Sequence, residues 1–527
     1  MMEHPLPTPH MTSAQQLGTA AEGALVPPSS RTWLDVTGSL LGHAGELDPL
    51  SIDVLARALH HFSRAALRYD GPLPADKGLV GVFDGRVYLN VSALLGLLRP
   101  GSLAQWVSEV DPLAAPDVMA DGVSSTDDLR ELQLLPGLLM RGARALASAV
   151  AGQIQPAWSR GVADEAWAAW EARIDRRAAR PIGEDGFVAW VDRLLVPTAQ
   201  LVVDELIPRI ALATTACRAM REPFQSRPEC ASLLHAVPQA LNGSSVCSLV
   251  LDLADVARFS ADDPGREAAW TALMHRHGHR AERELSLLVP RLSESSAGLD
   301  MVAVVARTPD LAMRWERAVQ ARKLAVSTLA ADLPGPLEHT RFLAAAHVVE
   351  ELGGLSDAPL AALVRVLAPI RAQLRLVLNE ACAAGRVDWD DVPHLSLAGV
   401  DALYRGEPPR FVESKTLPGR RAEPRVPASP VGVVGGRAKG IPISASKALS
   451  HPGPLGEHIL VTDILAPWTA PLVAACSGAV ITGTSGYGPS VAVARAFGRP
   501  CVLTGRPLLG SKTVLVDGDK PEVRILD

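Results

Sequence analysis

Gly278-His279-Arg280-Ala281-Glu282-Arg283-Glu284 puts a proton-exchanging group, an anion-binding group and a carboxylate in one short stretch. Histidine changes charge near neutral pH. Arginine offers a fixed fork of donors that fits a carboxylate or a phosphate. Glu284 is close enough in sequence to pair with either. Two readings follow. His279, Arg280 and Glu284 form the catalytic set of a substrate pocket, or Arg280 and Glu284 form a buried pair that orders a helix end. His275 and His279 stand at i,i+4, a spacing that can hold a metal, but Gly278 lies between them and no third ligand is evident. The sequence therefore names no metal site, and His275 and His277 are expected to be exposed. Asp388-Trp389-Asp390-Asp391 and Asp262-Asp263 are short acidic clusters of the kind some Mg²⁺–diphosphate enzymes use. Mg²⁺ is the one cofactor they admit; otherwise the second reads as a solvated turn. Gly483-Thr-Ser-Gly-Tyr-Gly488 has the glycines of a phosphate-cradling loop without the Gly-Lys-Ser/Thr ending of a P-loop.

The 527 residues suffice for two to four domains, and with 48% apolar residues most of the chain should be globular. A net charge of −6 argues against a nucleic-acid footprint. The six cysteines, Cys217, Cys230, Cys247, Cys382, Cys476 and Cys501, show no metal spacing and read as reduced thiols of a cytoplasmic protein. No secretory signal is evident. The longest uncharged stretch, between Asp463 and Arg495, is broken by Pro467, Pro471, Gly478, Gly483, Gly486, Gly488 and Pro489, so strand, loop and helix are expected there and no membrane span.

Residues 1–30 are rich in Pro, Ser, Thr and Ala and are expected to form a disordered tail. A mainly helical domain is expected over 31–404. Trp167, Trp170 and Ile174 share one face at three- and four-residue spacing. Helices are predicted around 198–219, 264–287, 311–333, 337–353 and 357–385, the last capped by Gly385. A short β element is predicted near Gly85–Asn90. Six prolines make 405–430 an extended linker. Beyond it, over 431–527, short apolar runs between turns predict a compact α/β domain. Its strands are placed at 458–462, 478–482, 501–504, 512–516 and 523–526, and its helices at 467–476 and 489–497. The fold class is thus α + α/β.

Within that last domain, Gly478-Ala-Val-Ile-Thr through Ala494-Arg495-Ala-Phe-Gly498-Arg-Pro500 resembles the swivelling phosphohistidine domain of phosphoenolpyruvate-utilising enzymes. Pro427–Pro430 with Gly432–Arg437, Leu460–Thr462 with Pro467–Thr469, and Val516–Gly518 with Val523 match that family's other segments in the same order. In the family a Ser-His or Thr-His pair opens the helix. Here those positions hold Gly488 and Pro489, and proline cannot carry a phosphoryl group. Earlier segments are similar to rifampicin phosphotransferase-like proteins. They are Leu47–Ser51, Phe83–Asn90, Leu241-Asn242 with Leu251–Ala254, Gly278–Ser286, and Asp388–Leu397.

The resemblance implies a helical substrate-binding domain followed by a swivel-type domain with a degenerate phosphohistidine site at Gly488 and Pro489. It implies substrate contacts from Arg86, Asn242 and Arg495. Full-length members carry an ATP-grasp domain ahead of the helical part; only about 30 residues precede Thr32-Trp33 here, so autonomous ATP-dependent phosphotransfer is not expected. Three functions stay open. One is a repurposed enzyme performing elimination, isomerisation or cyclisation on a small, largely apolar metabolite, as in natural-product biosynthesis. The others are a non-catalytic ligand-binding pseudo-enzyme, and a phosphotransferase subunit served by a separate ATP-binding subunit.

Overall fold

The computed structural model describes residues 33–35, 47–67, 80–83, 86–90, 154–260, 262–308, 310–411, 430–464, 466–485 and 491–526. The tail and residues 412–429 of the linker lie outside the described residues. A short antiparallel sheet of β1 (Trp33–Asp35), β2 (Val80–Phe83) and β3 (Arg86–Asn90), in the order β1-β3-β2, packs beside helix α1 (Pro49–Leu67). Then come α2 (Pro156–Ala178), α3 (Gly186–Leu201), α4 (Ile207–Arg221), α5 (Ala231–Ala236), α6 (Ser245–Ala257), α7 (Pro264–His277), α8 (Ala297–Ala306), α9 (Leu311–Ala331), α10 (Pro336–Leu352), α11 (Ala358–Ala383) and α12 (Leu397–Tyr404).

α1 starts where Asp48 accepts from the backbone N–H of Ser51 at 2.9 Å and Pro49 takes the first helical position. Proline fits there because the first turn has no use for its missing N–H. The helix expected at 198–219 begins earlier, at Gly186, and runs on to Phe224. Pro208 lacks an N–H and its ring crowds the carbonyl four residues back, and a π-helical turn over Val202–Leu206 absorbs this without ending the helix. This stretch is long and apolar enough to cross a membrane, yet 61% of its most apolar window is buried inside the protein. Phe187, Trp190, Val191, Leu194 and Leu195 from it meet Trp170 and Ile174 of α2 in the main core, with Trp167 partly buried against it, as the predicted face of Trp167, Trp170 and Ile174 requires. α11 ends as predicted, with Gly385 at φ 66°.

The C-terminal part holds β4 (Val431–Val434), β5 (Arg437–Ser444), α13 (Ala445–Ser450), β6 (His458–Ile464), α14 (Ala470–Ala475), β7 (Gly478–Ser485), α15 (Val491–Ala496), β8 (Cys501–Leu503), β9 (Thr513–Asp517) and β10 (Glu522–Leu526). They form one mixed sheet in the order β10-β9-β5-β6-β7-β8-β4. β5, β6, β7 and β8 are parallel, and β4, β9 and β10 run against their neighbours. The fold is therefore α + α/β.

The second apolar core spans both halves. Val246, Leu249, Val250 and Leu253 of α6, with Met301, Val302 and Val305 of α8, pack against α14 and against Val491, Val493, Ala494 and Phe497. Every residue of α14 is buried. Arginines stitch the same seam. Arg314 donates to the carbonyls of Ala474 and Ala475 at 3.0 and 3.1 Å, and Arg307 to those of Leu449 and His451. The N–H of Ala240 donates to the Ala496 carbonyl at 3.2 Å while Arg322 holds the Ala240 carbonyl. Among the described residues Ala240 is the only non-glycine at positive φ (46°), and these two bonds hold it there.

Candidate functional site

Residues 264–287 do not form one helix: α7 stops at His277, and Gly278 closes it with its N–H on the Met274 carbonyl. A side chain at Gly278 would run into that carbonyl and Ser293. The chain then turns into an irregular strap, 278–295. It doubles back on itself through Ser293 N–H to Gly278 carbonyl at 3.0 Å and Leu292 N–H to Arg280 carbonyl at 2.6 Å.

Arg280 and Glu284 meet inside the strap. They are 4% and 6% exposed, and Arg280 Nη1 donates to Glu284 Oε1 at 2.6 Å. Arg280 Nη2 donates to Ser245 Oγ at 2.7 Å, at the start of α6. Arg291 donates to the carbonyls of Glu284 and Ser286, and Arg371 of α11 to the Leu287 carbonyl. α1 holds the far end: Ser286 Oγ donates to Asp48, and the Leu287 N–H donates to Ser51 Oγ at 2.7 Å. The α6 start is capped by Asp357, which accepts from Ser244 Oγ, Ser245 N–H, Ser245 Oγ and Val246 N–H at 2.8–3.2 Å. A carboxylate there also meets the positive end of the helix.

His279 is placed beside this pair but uses none of it. Its Nδ1 is buried without a hydrogen-bond partner among the described residues. Burial, and then Arg280, hold the ring well below its ordinary proton affinity, so it is neutral at physiological pH. Arg280 Nε, Glu284 Oε2 and Arg291 Nε are likewise buried and unpaired. The strap thus combines a neutral imidazole with spare donor and acceptor positions in a dry setting.

His277, expected to be exposed, is buried instead, its Nε2 2.9 Å from Asp252 Oδ2 of α6. His275 is exposed as expected. Asn242 lies in an exposed turn ahead of α6 and is engaged through its carbonyl by Arg160. Arg495 of α15 stands within electrostatic reach of His235 and Cys501, where burial first sets both groups, holding the imidazole down and pushing the thiol up to about 12. Arg86 opens β3 opposite Phe83, and its side chain lies outside the described residues, as do Gly488 and Pro489. Asp263 caps α7, and Asp388–Asp391 enters a 3₁₀ turn. Among the described residues no group of three or more His, Cys, Asp or Glu could hold a metal ion. All six cysteines are unpaired.

The sequence reading passed over a second polar cluster, on α1. Asp53, Arg57, His60 and His61 fall on one arc of that helix, and Arg57 and His61 both reach Asp192 of α3. The spacing of three and four residues was the available signal. Asp53 is 5% exposed and accepts from the Leu397 N–H at 2.8 Å. Burial pushes its carboxyl up to about 7 from 3.8. The folded chain therefore binds this proton about a thousandfold tighter than the unfolded chain does. That stability is fully present below about pH 4 and is lost as pH rises towards 7, by about 4 kcal/mol in all. Asp53→Asn should accordingly be more stable than the parent protein at pH 8, with the advantage vanishing near pH 4. Denaturant unfolding at the two pH values measures it, and an equal difference at both would exclude a raised carboxyl.

No protein-family model matches the chain, and no curated protein matches it; the strap and the α1 cluster are read from their own chemistry.

Proposed function

We propose that the protein is a repurposed relative of the phosphoenolpyruvate-utilising, rifampicin phosphotransferase-like enzymes. It acts on a small, largely apolar metabolite by elimination, isomerisation or cyclisation, chemistry of the kind found in natural-product biosynthesis and independent of a phosphohistidine. The sequence resemblance supports the lineage. The observation that carries the site is His279: a neutral buried ring nitrogen without a partner among the described residues, in the same strap as the unpaired Arg280 Nε and Glu284 Oε2. Leaving such groups unpaired costs about 1–3 kcal/mol each, a cost that ligand binding offsets. In this reading His279 exchanges the proton, and Arg280 and Glu284 hold the turn while offering their remaining positions to the substrate. The substrate is the small-molecule partner, and the protein works in the cytoplasm.

A second reading is a non-catalytic ligand-binding pseudo-enzyme, or the acceptor-binding part of a split phosphotransferase with a separate ATP-binding subunit. It is favoured by one observation: Arg280 and Glu284 already spend a bond on each other, and no described residue orients the Nδ1 of His279 as a working catalytic histidine requires.

Native mass spectrometry of the protein from its own host, followed by assay of any co-purified compound, separates the two. The enzyme reading expects a bound small molecule and its conversion, with His279→Ala retaining the compound while turnover falls about a hundredfold or more. Binding without conversion leaves the second reading, and a strap that retains nothing overturns both.

A further inference from the structure

A groove of about 420 Å³ opens where the end of α2 meets α11 and α12. Pockets that hold small molecules start at about this size. Val377 of α11 belongs to the main core, the half-buried Ile182 packs against that core, and both line the groove. Leu376 and Tyr404, also in the lining, are 60% and 39% exposed, so an apolar surface runs from the core out to solvent. The chain turn that walls the groove is fixed from two sides. The buried Trp190 donates from its indole N–H to the Arg180 carbonyl at 3.1 Å, and the Tyr404 hydroxyl donates to the Ile182 carbonyl at 2.8 Å. Pro181 between them fixes its own φ. A wall held in this way need not be ordered when a ligand arrives.

The charge beside the groove is mostly of one sign. Arg180 lines it, and Arg177 and Arg173 precede Arg180 at three- and four-residue spacing, on one side of the last turns of α2. Arg177 donates to the Arg193 carbonyl. Its proton affinity is lowered by burial, then by Arg173 and Arg180, so the charges that act on it are both cationic. Against these three guanidinium groups, Glu380 is the one carboxylate among the described lining residues. The groove is also well apart from the strap. Arg371 of α11 donates to the strap at the Leu287 carbonyl. Gln373, Leu376, Val377 and Glu380 lie on average about 190° round α11 from Arg371, on the opposite face of that helix.

We propose that this groove is a second small-molecule site, separate from the strap, and that it takes an anionic amphiphile: a carboxylate on an acyl chain. The chain lies on Ile182, Leu376 and Val377, where apolar surface is already recessed from solvent. The carboxylate meets Arg180, whose guanidinium is exposed at the rim, with Arg177 and Arg173 adding to the attraction. The site stands whether or not the strap binds a metabolite.

Titration calorimetry of the full chain tests it, with decanoate as the probe, kept below the concentration at which it forms micelles. Decanoate should bind saturably, one per chain. Decyltrimethylammonium, which has the same chain and the opposite charge, should bind about tenfold more weakly or worse. Leu376→Asp should weaken decanoate about tenfold or more, and Arg180→Glu should reverse the preference between the two head groups. Both positions are exposed, so both variants keep the fold. An unchanged affinity in Leu376→Asp would put decanoate elsewhere and overturn the site. Equal binding of the two head groups by the parent protein would overturn the anionic assignment. Failure to bind decanoate would overturn the proposal, and capture of phosphatidylglycerol vesicles in that case would make the groove and its arginines a membrane-facing surface instead.

Discussion

Arg280→Met should lower the stability of the protein by about 3–5 kcal/mol, whereas Arg280→Met combined with Glu284→Leu should lose much less than either single change. Arg280 and Glu284 are almost wholly buried and face each other at 2.6 Å. Removing the guanidinium alone strands a carboxylate in a dry interior, where its second oxygen already lacks a partner. It also releases Ser245 Oγ at the head of α6. Removing both charges leaves only a volume change, which cores of leucine and methionine accommodate. Denaturant midpoints of the two single variants and the double variant supply the measurement. A single variant costing under about 1 kcal/mol would show that the pair does not hold the strap. The same cycle bears on function, since a double variant that folds and still binds a co-purified compound assigns recognition to His279 and the peptide groups around it.

Asp357→Ala should cost a similar amount, about 3 kcal/mol or more, and Asp357→Asn roughly half of that. The residue is 3% exposed and satisfies two backbone N–H groups and two hydroxyls at once. Alanine leaves those donors buried with no acceptor. Asparagine keeps an acceptor but gives up the charge that opposes the helix dipole. Its carrier loop sits tight on the turn ahead of α6, because a side chain at Gly354 would strike the Asn242 carbonyl. Amide hydrogen exchange should show α6 losing protection first. Uniform loss across the molecule would mean that Asp357 acts through the general core.

Five of the seven strands of the C-terminal part were legible because each is a short apolar run closed by a turn; β4 and the mixed-polarity β5 were not among those placed. The expected strands at 458–462, 478–482, 501–504, 512–516 and 523–526 are observed within two residues of their ends, apart from β7, which runs three residues further to Ser485. The long amphipathic helices 311–331, 336–352 and 358–383 were equally clear. The Gly278 turn was harder to place. Leucine and charged residues continue past it at helical spacing, and only the closeness of Met274 and Ser293 forbids a side chain there. The start of the helix predicted at 198–219 was missed, since α3 begins at Gly186 and carries Pro197 inside it. Arg280 and Glu284 were readable as a pair because they are four residues apart. Their third partner, Ser245, comes from 35 residues away. Asp192 is 135 residues from Arg57, and a polar arc on α1 looks like a solvated face until the partner helix is in place. The junction between the halves was hidden for the same reason: a proline-rich linker suggests independence, while α6 and α8 share their apolar surface with α14 and α15.

That shared surface sets the energetics of any motion of the C-terminal part. A carrier domain must leave one station for another, and departure is cheap only when its docking face is wet and polar. Here departure would strip α14, whose six residues are all buried, from α6 and α8. It would also leave Arg307 and Arg314 without the carbonyls they bind. Such a step has the cost of local unfolding rather than of a hinge, so the C-terminal part behaves as a fixed wall.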